Sequence, residues 1–238
     1  QGGDFINWDL SIWNQYMKQF MGFASTVSMN TYGALAYHPT SDDTVGYVYI
    51  SDLGNEFDMI DFYYVTNVIK PCSGTILDLR MCNEIGFEIN AHYASGRFVE
   101  ESVLAYYRAF RTGSGRNDMG EMQEVFTFRN GAWQFTKPIV ILTGRETQGA
   151  AEQLVLLLKT QQHVTVIGDT TAGFANPAVS FDLTDYWTVE IPGMVTYSLD
   201  GTLILNSGIA PDICIPVSEA DLDAGIDPVI DAALEMIL

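Results

Sequence analysis

Residues 138–152 read Pro-Ile-Val-Ile-Leu-Thr-Gly-Arg-Glu-Thr-Gln-Gly-Ala-Ala-Glu. Ile139 to Leu142 has the length and β-branched content of a buried strand. A turn follows, and Gly149-Ala150-Ala151-Glu152 opens a Leu-rich helical stretch, Gln153 to Lys159. A strand-turn-helix junction is a good place for a nucleophile, because N–H groups at a helix start favour developing negative charge. Acyl transfer by a hydroxyl needs an oxygen nucleophile, a base to take its proton, and donors for the tetrahedral oxyanion. The hydroxyl nearest to Gly149 is Thr147, two residues upstream. The histidines available as bases are His38, His92 and His163, and no lysine follows Lys159. Each histidine reads first as a surface or hydrogen-bonded structural residue.

The elements that must position this junction follow from periodicity. Asp4 to Phe23 places Phe5, Trp8, Leu10, Trp13, Tyr16, Met17, Phe20 and Met21 at roughly helical spacing, as in an amphipathic helix or helix pair. Tyr37 and the run Tyr47–Ile50 read as strands, and Asn55–Ile69 as a helix ending before Pro71. Gly74–Leu79 then predicts a strand, Gly86–Phe98 a helix, and Val103–Phe110 and Val125–Arg129 strands. Val164–Gly168 is a strand, followed by short strand-like runs at Ala178–Leu183, Trp187–Ile191, Val195–Ser198, Thr202–Leu205 and Ile213–Pro216. Asp227 to Leu238 closes as a helix, with Asp227 as cap and Pro228 in its first turn. This alternation predicts an α/β fold with a mainly parallel sheet. The expected division is an N-terminal helical extension, residues 1–45, and one core domain, residues 46–238.

Of 238 residues, 47% are hydrophobic and 12% aromatic, enough for a sizeable core. Eleven Lys and Arg against 30 Asp and Glu give a formal charge of -19, which repels nucleic-acid backbones and anionic membrane surfaces. No apolar run is long enough to span a bilayer. The chain starts at Gln1, consistent with a leader removed on export or with trimming. Cys72, Cys82 and Cys214 show no metal-ligand spacing and read as small apolar residues, with at most one internal disulfide. No metal or cofactor is expected.

Several strings resemble the C-terminal-processing (tail-specific) serine peptidases. The Gly149-Ala-Ala-Glu152 string resembles the family's Ser-Ala-Ala-Glu segment, which carries its nucleophile. Thr75-Ile-Leu-Asp-Leu-Arg80 is similar to its "IDLR" strand and Tyr47-Val-Tyr-Ile50 to the preceding strand. Val166–Gly173 resembles its "GE-TaG" segment, Gly208–Ile213 its "GI-PD" segment, and Asp227–Leu234 its closing helix. The texture is that of a short member lacking an inserted PDZ domain, related to the tricorn core and to interphotoreceptor retinoid-binding protein. The resemblance implies a crotonase/ClpP-like spiral of βαβ units. It also implies an exported, periplasmic or cell-surface location.

The same resemblance assigns slots, and this chain departs from each. Gly149 stands in the nucleophile slot and supplies no oxygen. Phe174 stands where a lysine base would follow the Gly of "TaG", and a phenyl ring accepts no proton. Leu205 and Asn206 stand where the tricorn-like branch carries a supporting glutamate before Gly208. The Asn-Gly-Gly-Gly-like oxyanion turn reads Met81-Cys82-Asn83-Glu84-Ile85-Gly86, with one glycine and a carboxylate of the wrong sign for an oxyanion. Glu152 and Arg80 read as a helix-start carboxylate and a strand-end charge.

Loss of the nucleophile alone costs a triad hydrolase on the order of a millionfold. The sequence therefore predicts a catalytically inactive homologue. Its cleft, lined by Asn83, Glu84, Ile85, Gln148, Gly149, Ala150 and Phe174, suits a peptide or a small apolar ligand. One alternative is an active serine-type peptidase with rearranged residues. The other is a scaffold or oligomerisation module using Trp8 to Met21.

Overall fold

The computed structural model describes residues 30–32, 35–39, 45–83, 86–115, 118–175 and 178–238. The stretch Asp4 to Phe23, read above as helical, lies outside the described residues, as do Glu84 and Ile85.

A seven-stranded sheet organises the chain. Its first three strands in chain order are β1 (Asn30–Tyr32), β2 (Leu35–Pro39) and β3 (Val45–Ile50). The others are β4 (Gly74–Asp78), β7 (Ile139–Thr143), β8 (Val164–Gly168) and β12 (Ile213–Cys214), and the spatial order is β1-β2-β3-β4-β7-β8-β12. From β3 to β12 every pairing is parallel, and only the β1–β2 and β2–β3 pairs are antiparallel. The central sheet is thus mainly parallel, as the alternating pattern predicts. Residues 30–39 belong to this same sheet, although they precede position 46.

Both faces of the sheet are covered, which is why its strands are continuous apolar runs rather than alternating ones. One face carries Val48, Ile50, Leu77, Ile139, Ile141 and Val166. They pack with α1 (Met59–Ile69), α2 (Glu88–Ser95) and α3 (Ala150–Leu158). The opposite face presents Val45, Tyr47, Ile76, Val140, Leu142 and Ile167 to α5 (Pro228–Ile237). Helix α3 is buried along all nine residues, so its apolar surface runs round the whole helix.

Two smaller sheets complete the fold. Strand β5 (Leu104–Phe110) lies between β6 (Gln123–Phe126) and β11 (Met194–Tyr197), all antiparallel. Strands β9 (Ala178–Thr184) and β10 (Trp187–Pro192) form a separate hairpin. Helix α1 is capped by Asp58, which accepts from the N–H groups of Ile60 and Asp61. Asp227 caps α5 in the same way, with Pro228 in its first turn, as expected from the sequence.

Three local expectations change. Thr202–Leu205 is not a strand: the chain turns at Ser198–Thr202, where Ser198 N–H donates to the Thr202 carbonyl at 2.9 Å, and only a Tyr197–Leu203 bridge remains. Ile213–Pro216 shortens to two paired residues, Ile213 and Cys214. A short helix, α4 (Glu219–Ala224), stands where no element was expected. Cys72 and Cys82 are buried and Cys214 is exposed, and all three are free thiols.

Candidate active-site cleft

Strand β7 delivers the chain to a turn, and α3 begins immediately after Gly149. Gly149 is the N-cap of α3, with φ 62° and ψ -125°. That positive φ is costly for any residue bearing a Cβ and free for glycine. The position retains the strained strand-to-helix geometry in which a nucleophile is presented, but carries no side chain.

Thr147 is wholly buried and already committed. Its hydroxyl donates to the Leu79 carbonyl at 2.9 Å and accepts from the Gly144 N–H at 3.0 Å. It pins the turn to the end of β4 and is turned away from the helix start.

The segment after β4 lies against the junction. Gln148 N–H donates to the Cys82 carbonyl at 3.1 Å, and the Gln148 side-chain amide donates to the Asn83 carbonyl. A Cβ placed on Gly86 would come within 2.7 Å of the Ala150 Cβ, so the two segments abut. Asn83, Gln148, Gly149 and Ala150 are therefore gathered at one place. The conformation of the two residues that would aim donors at an oxyanion, Glu84 and Ile85, falls outside the described chain.

The base slot is brought in by Glu152, and the sequence reading missed this. Glu152 is fully buried. One carboxylate oxygen accepts from the Thr171 hydroxyl at 2.5 Å and from Gly173 N–H at 2.7 Å, and the other from Phe174 N–H at 2.6 Å. Glu152, at the third helical position, thus grips the 171–174 turn. Its place three residues after the cap marks it as a first-turn carboxylate, but no local spacing points to the turn it holds. Burial pushes the Glu152 carboxyl above the ordinary range, against the pull of these hydrogen bonds.

The remaining slots close the constellation. Gly173 accepts from Asn206 N–H at 2.9 Å, and a Cβ on Gly173 would meet the Asn206 and Gly208 nitrogens at 2.9 Å. Asn206 is exposed and adopts φ 63°, and Leu205 is half-buried. Phe174 presents a ring that is 52% exposed. Gly149, Phe174 and Asn206 thus belong to one connected framework, through Glu152 and Gly173.

The histidines lie elsewhere. His92 stacks on Phe128 at 5.7 Å, with its Nε2 3.5 Å from Tyr106 and Glu88. The His163 ring contacts the Phe98 carbonyl at 3.0 Å, and burial pushes its pKa down. For His38 only the backbone is described, on β2. Arg80 is more than a strand-end charge: it bridges Asp78 and Asp227 at 2.6 and 2.7 Å. Among the described residues no cluster of His, Cys, Asp and Glu is arranged to hold a metal ion, and no helix is long and apolar enough to cross a membrane.

Known proteins resemble this chain in sequence and fold. The carboxy-terminal processing protease CtpA of Bacillus subtilis (strain 168) is 28% identical over 144 residues, covering 60% of this chain and 29% of that protein. The chain therefore spans under a third of that relative's length. The crystal structure of a candidate peptidase from Parabacteroides merdae ATCC 43184 superposes with a TM-score of 0.83 at 25% identity, covering 98% of this chain and 70% of that one. The photosystem II D1 C-terminal processing protease shares the fold, with a TM-score of 0.53 at 18% identity over 72% of this chain and 42% of its own. The model of peptidase family S41 matches residues 44–215. With that match spanning most of the sequence, the chain belongs to peptidase family S41.

Proposed function

We propose that this chain is a catalytically inactive S41 homologue that binds an extended peptide or small apolar ligand in the cleft around Gly149 and Phe174. One observation carries the reading. The helix-start position that would present a nucleophile is occupied by a glycine, while the adjacent Thr147 hydroxyl is spent on Leu79 and Gly144. Phe174 supports it, since an exposed ring at the cleft wall offers apolar contact and no proton acceptor. The central sheet that carries this cleft includes residues 30–32 and 35–39, so the proposed core domain begins before position 46. A location outside the cytoplasm is inferred from the family resemblance.

A fluorophosphonate probe, run beside an active S41 peptidase, tests the loss of chemistry. The expected result is no labelling of this chain over long incubation. Labelling at any residue in the cleft would overturn the reading in favour of a rearranged active peptidase. Binding is tested by native mass spectrometry with neutral apolar peptides, comparing the protein with Phe174→Asp. Retention of a peptide by the parent and its loss in the variant is the expected pair of results. Equal retention by both would remove Phe174 from the ligand site.

A further inference from the structure

The hairpin of β9 and β10 leaves the fold close to the cleft. Its first residue, Ala178, is four positions after Phe174, and it returns at Pro192 into Gly193. The Gly193 carbonyl accepts from Arg111 N–H at 2.9 Å, and β11 then pairs with β5. The hairpin is therefore rooted in the three-stranded sheet beside the base slot.

Its pairing register separates two faces. Phe181 lies opposite Val189, and Ile191 belongs to the same alternating row, while Leu183 is the extra residue at the bulge that follows on β9. Asp182 lies opposite Thr188 on the other face, where the Thr188 hydroxyl donates to its carboxylate at 2.9 Å. Among the described residues this apolar surface is left open: Phe181 is 52% exposed and Leu183 66%, with Tyr186 and Trp187 more exposed still at the turn. Among the described residues no third strand pairs with either edge of the hairpin. A two-stranded ribbon with an apolar face is marginal in water until a further strand or surface covers it.

Charge decides what covers it. Residues 178–192 carry Asp182, Asp185 and Glu190 and no Lys or Arg, and no Lys or Arg occurs anywhere from 160 to 238. A second copy would bring the same acidic row, on a chain of formal charge -19. Anionic lipid is repelled for the same reason. We propose that the β9–β10 hairpin is a docking arm for a cationic, apolar polypeptide segment. The segment pairs along a free strand edge, lays its apolar side chains on Phe181, Leu183 and Ile191, and sets Lys or Arg against the acidic residues. This goes beyond the cleft reading and stands independently of it.

The test uses fluorescently labelled strand-length peptides of alternating Lys and Leu, Glu and Leu, and Lys and Ser, titrated with the full chain. Only the Lys/Leu peptide is expected to bind, more weakly as salt rises. The Phe181→Ser/Leu183→Ser variant should weaken it by roughly tenfold or more. Asp182→Asn/Asp185→Asn should weaken it mainly at low salt. These residues are exposed, so unchanged circular dichroism and thermal unfolding will separate lost docking from lost folding. Equal binding of the Lys/Ser peptide would overturn the proposal as diffuse electrostatics, and so would parent-like affinity in the Phe181/Leu183 variant. Light scattering that shows a dimer abolished by that variant would assign the face to a second copy. Vesicle binding abolished by it would assign the face to lipid. Excess neutral apolar peptide, the cleft probe, should leave Lys/Leu binding unchanged, and competition between the two would merge the arm with the cleft and overturn its independence.

Discussion

Glu152 and Thr171 meet at 2.5 Å in the protein interior, carboxylate to hydroxyl, and this contact joins the helix that starts at Gly149 to the turn that carries Phe174. The same Thr171 oxygen accepts from Ile209 N–H at 2.8 Å, so the Gly208 segment is drawn into the junction as well. Three separate stretches of chain are thereby held at one carboxylate. The backbone framework around Gly149 and Phe174 is thus fastened at its centre.

Glu152→Ala should therefore destabilise the protein well beyond a typical surface change. It strands the Gly173 and Phe174 N–H groups and the Thr171 hydroxyl in a buried site, where each unsatisfied donor costs about 1–3 kcal/mol. Allowing for relaxation, a loss of about 3 kcal/mol or more is expected by urea denaturation. A loss within the range of surface substitutions would show that water or a neighbour replaces the carboxylate without penalty.

The same group gives a pH signature with a defined sign. Burial raises the Glu152 carboxyl in the folded protein, so between its unfolded and folded pKa values the native state holds more protons than the unfolded one. Its contribution to stability falls as pH rises through that window, from the ordinary glutamate range upward, and is level beyond it. Glu152→Gln lacks this slope. The stability advantage of the parent over Glu152→Gln should thus be larger at about pH 4 than at about pH 8. An advantage that grew with pH would mean that the hydrogen bonds outweigh burial and hold the pKa low.

Arg80 binds two carboxylates that belong to distant parts of the chain. Burial opposes its charge, but Asp78 and Asp227 hold the guanidinium well above its ordinary pKa. Asp78 has no exposed surface and also receives the Tyr47 hydroxyl at 2.9 Å. Arg80→Ala leaves Asp78 buried without its cation, a change expected to cost about 3–5 kcal/mol. Asp227→Asn keeps the helix cap and removes one of two partners, so its cost should be near 1 kcal/mol. Equal effects of the two substitutions in denaturant titrations would place the energetic weight on Asp227 rather than on Asp78.

How far the sequence revealed this depends on the range of the interactions. Ile139–Thr143 and Val164–Gly168 were legible because parallel strands covered on both faces are plain β-branched runs. The α5 cap was legible because Asp227 and Pro228 act on their immediate neighbours. Thr202–Leu205 misled because its apolar content serves a turn: Ile204 is buried beside a single Tyr197–Leu203 bridge and not in a ladder. Around the candidate site, motif order named positions 149, 174 and 206, which the fold joins through Glu152 and Gly173. The roles of Glu152 and Arg80 were not legible, because the turn that Glu152 grips begins 19 positions on and Asp227 lies 147 positions from Arg80, beyond any local pattern.

Thr147 offers the cleanest discrimination between an inert and a rearranged site. Thr147→Val keeps the shape and removes the hydroxyl, so the Gly144 N–H loses its acceptor and the Leu79 carbonyl keeps only the Cys82 N–H. A destabilisation of about 1–3 kcal/mol is expected, with fluorophosphonate labelling absent in both parent and variant. Labelling of the parent that disappears in Thr147→Val would identify this hydroxyl as a nucleophile after all.

Gly149 itself is the position where strain and chemistry meet. With φ 62° and ψ -125°, a serine or alanine there must adopt a backbone that L-residues avoid, which costs about 1–3 kcal/mol. Both Gly149→Ala and Gly149→Ser should lower the unfolding midpoint by similar amounts, since the penalty comes from the Cβ and not from the hydroxyl. Gly149→Ser should also remain unlabelled by fluorophosphonate, because a serine hydroxyl without a base is a weak nucleophile and position 174 holds a phenyl ring. If Gly149→Ser alone became labelled, a proton acceptor would have to lie within reach of the helix start, and the site would have lost one group rather than several.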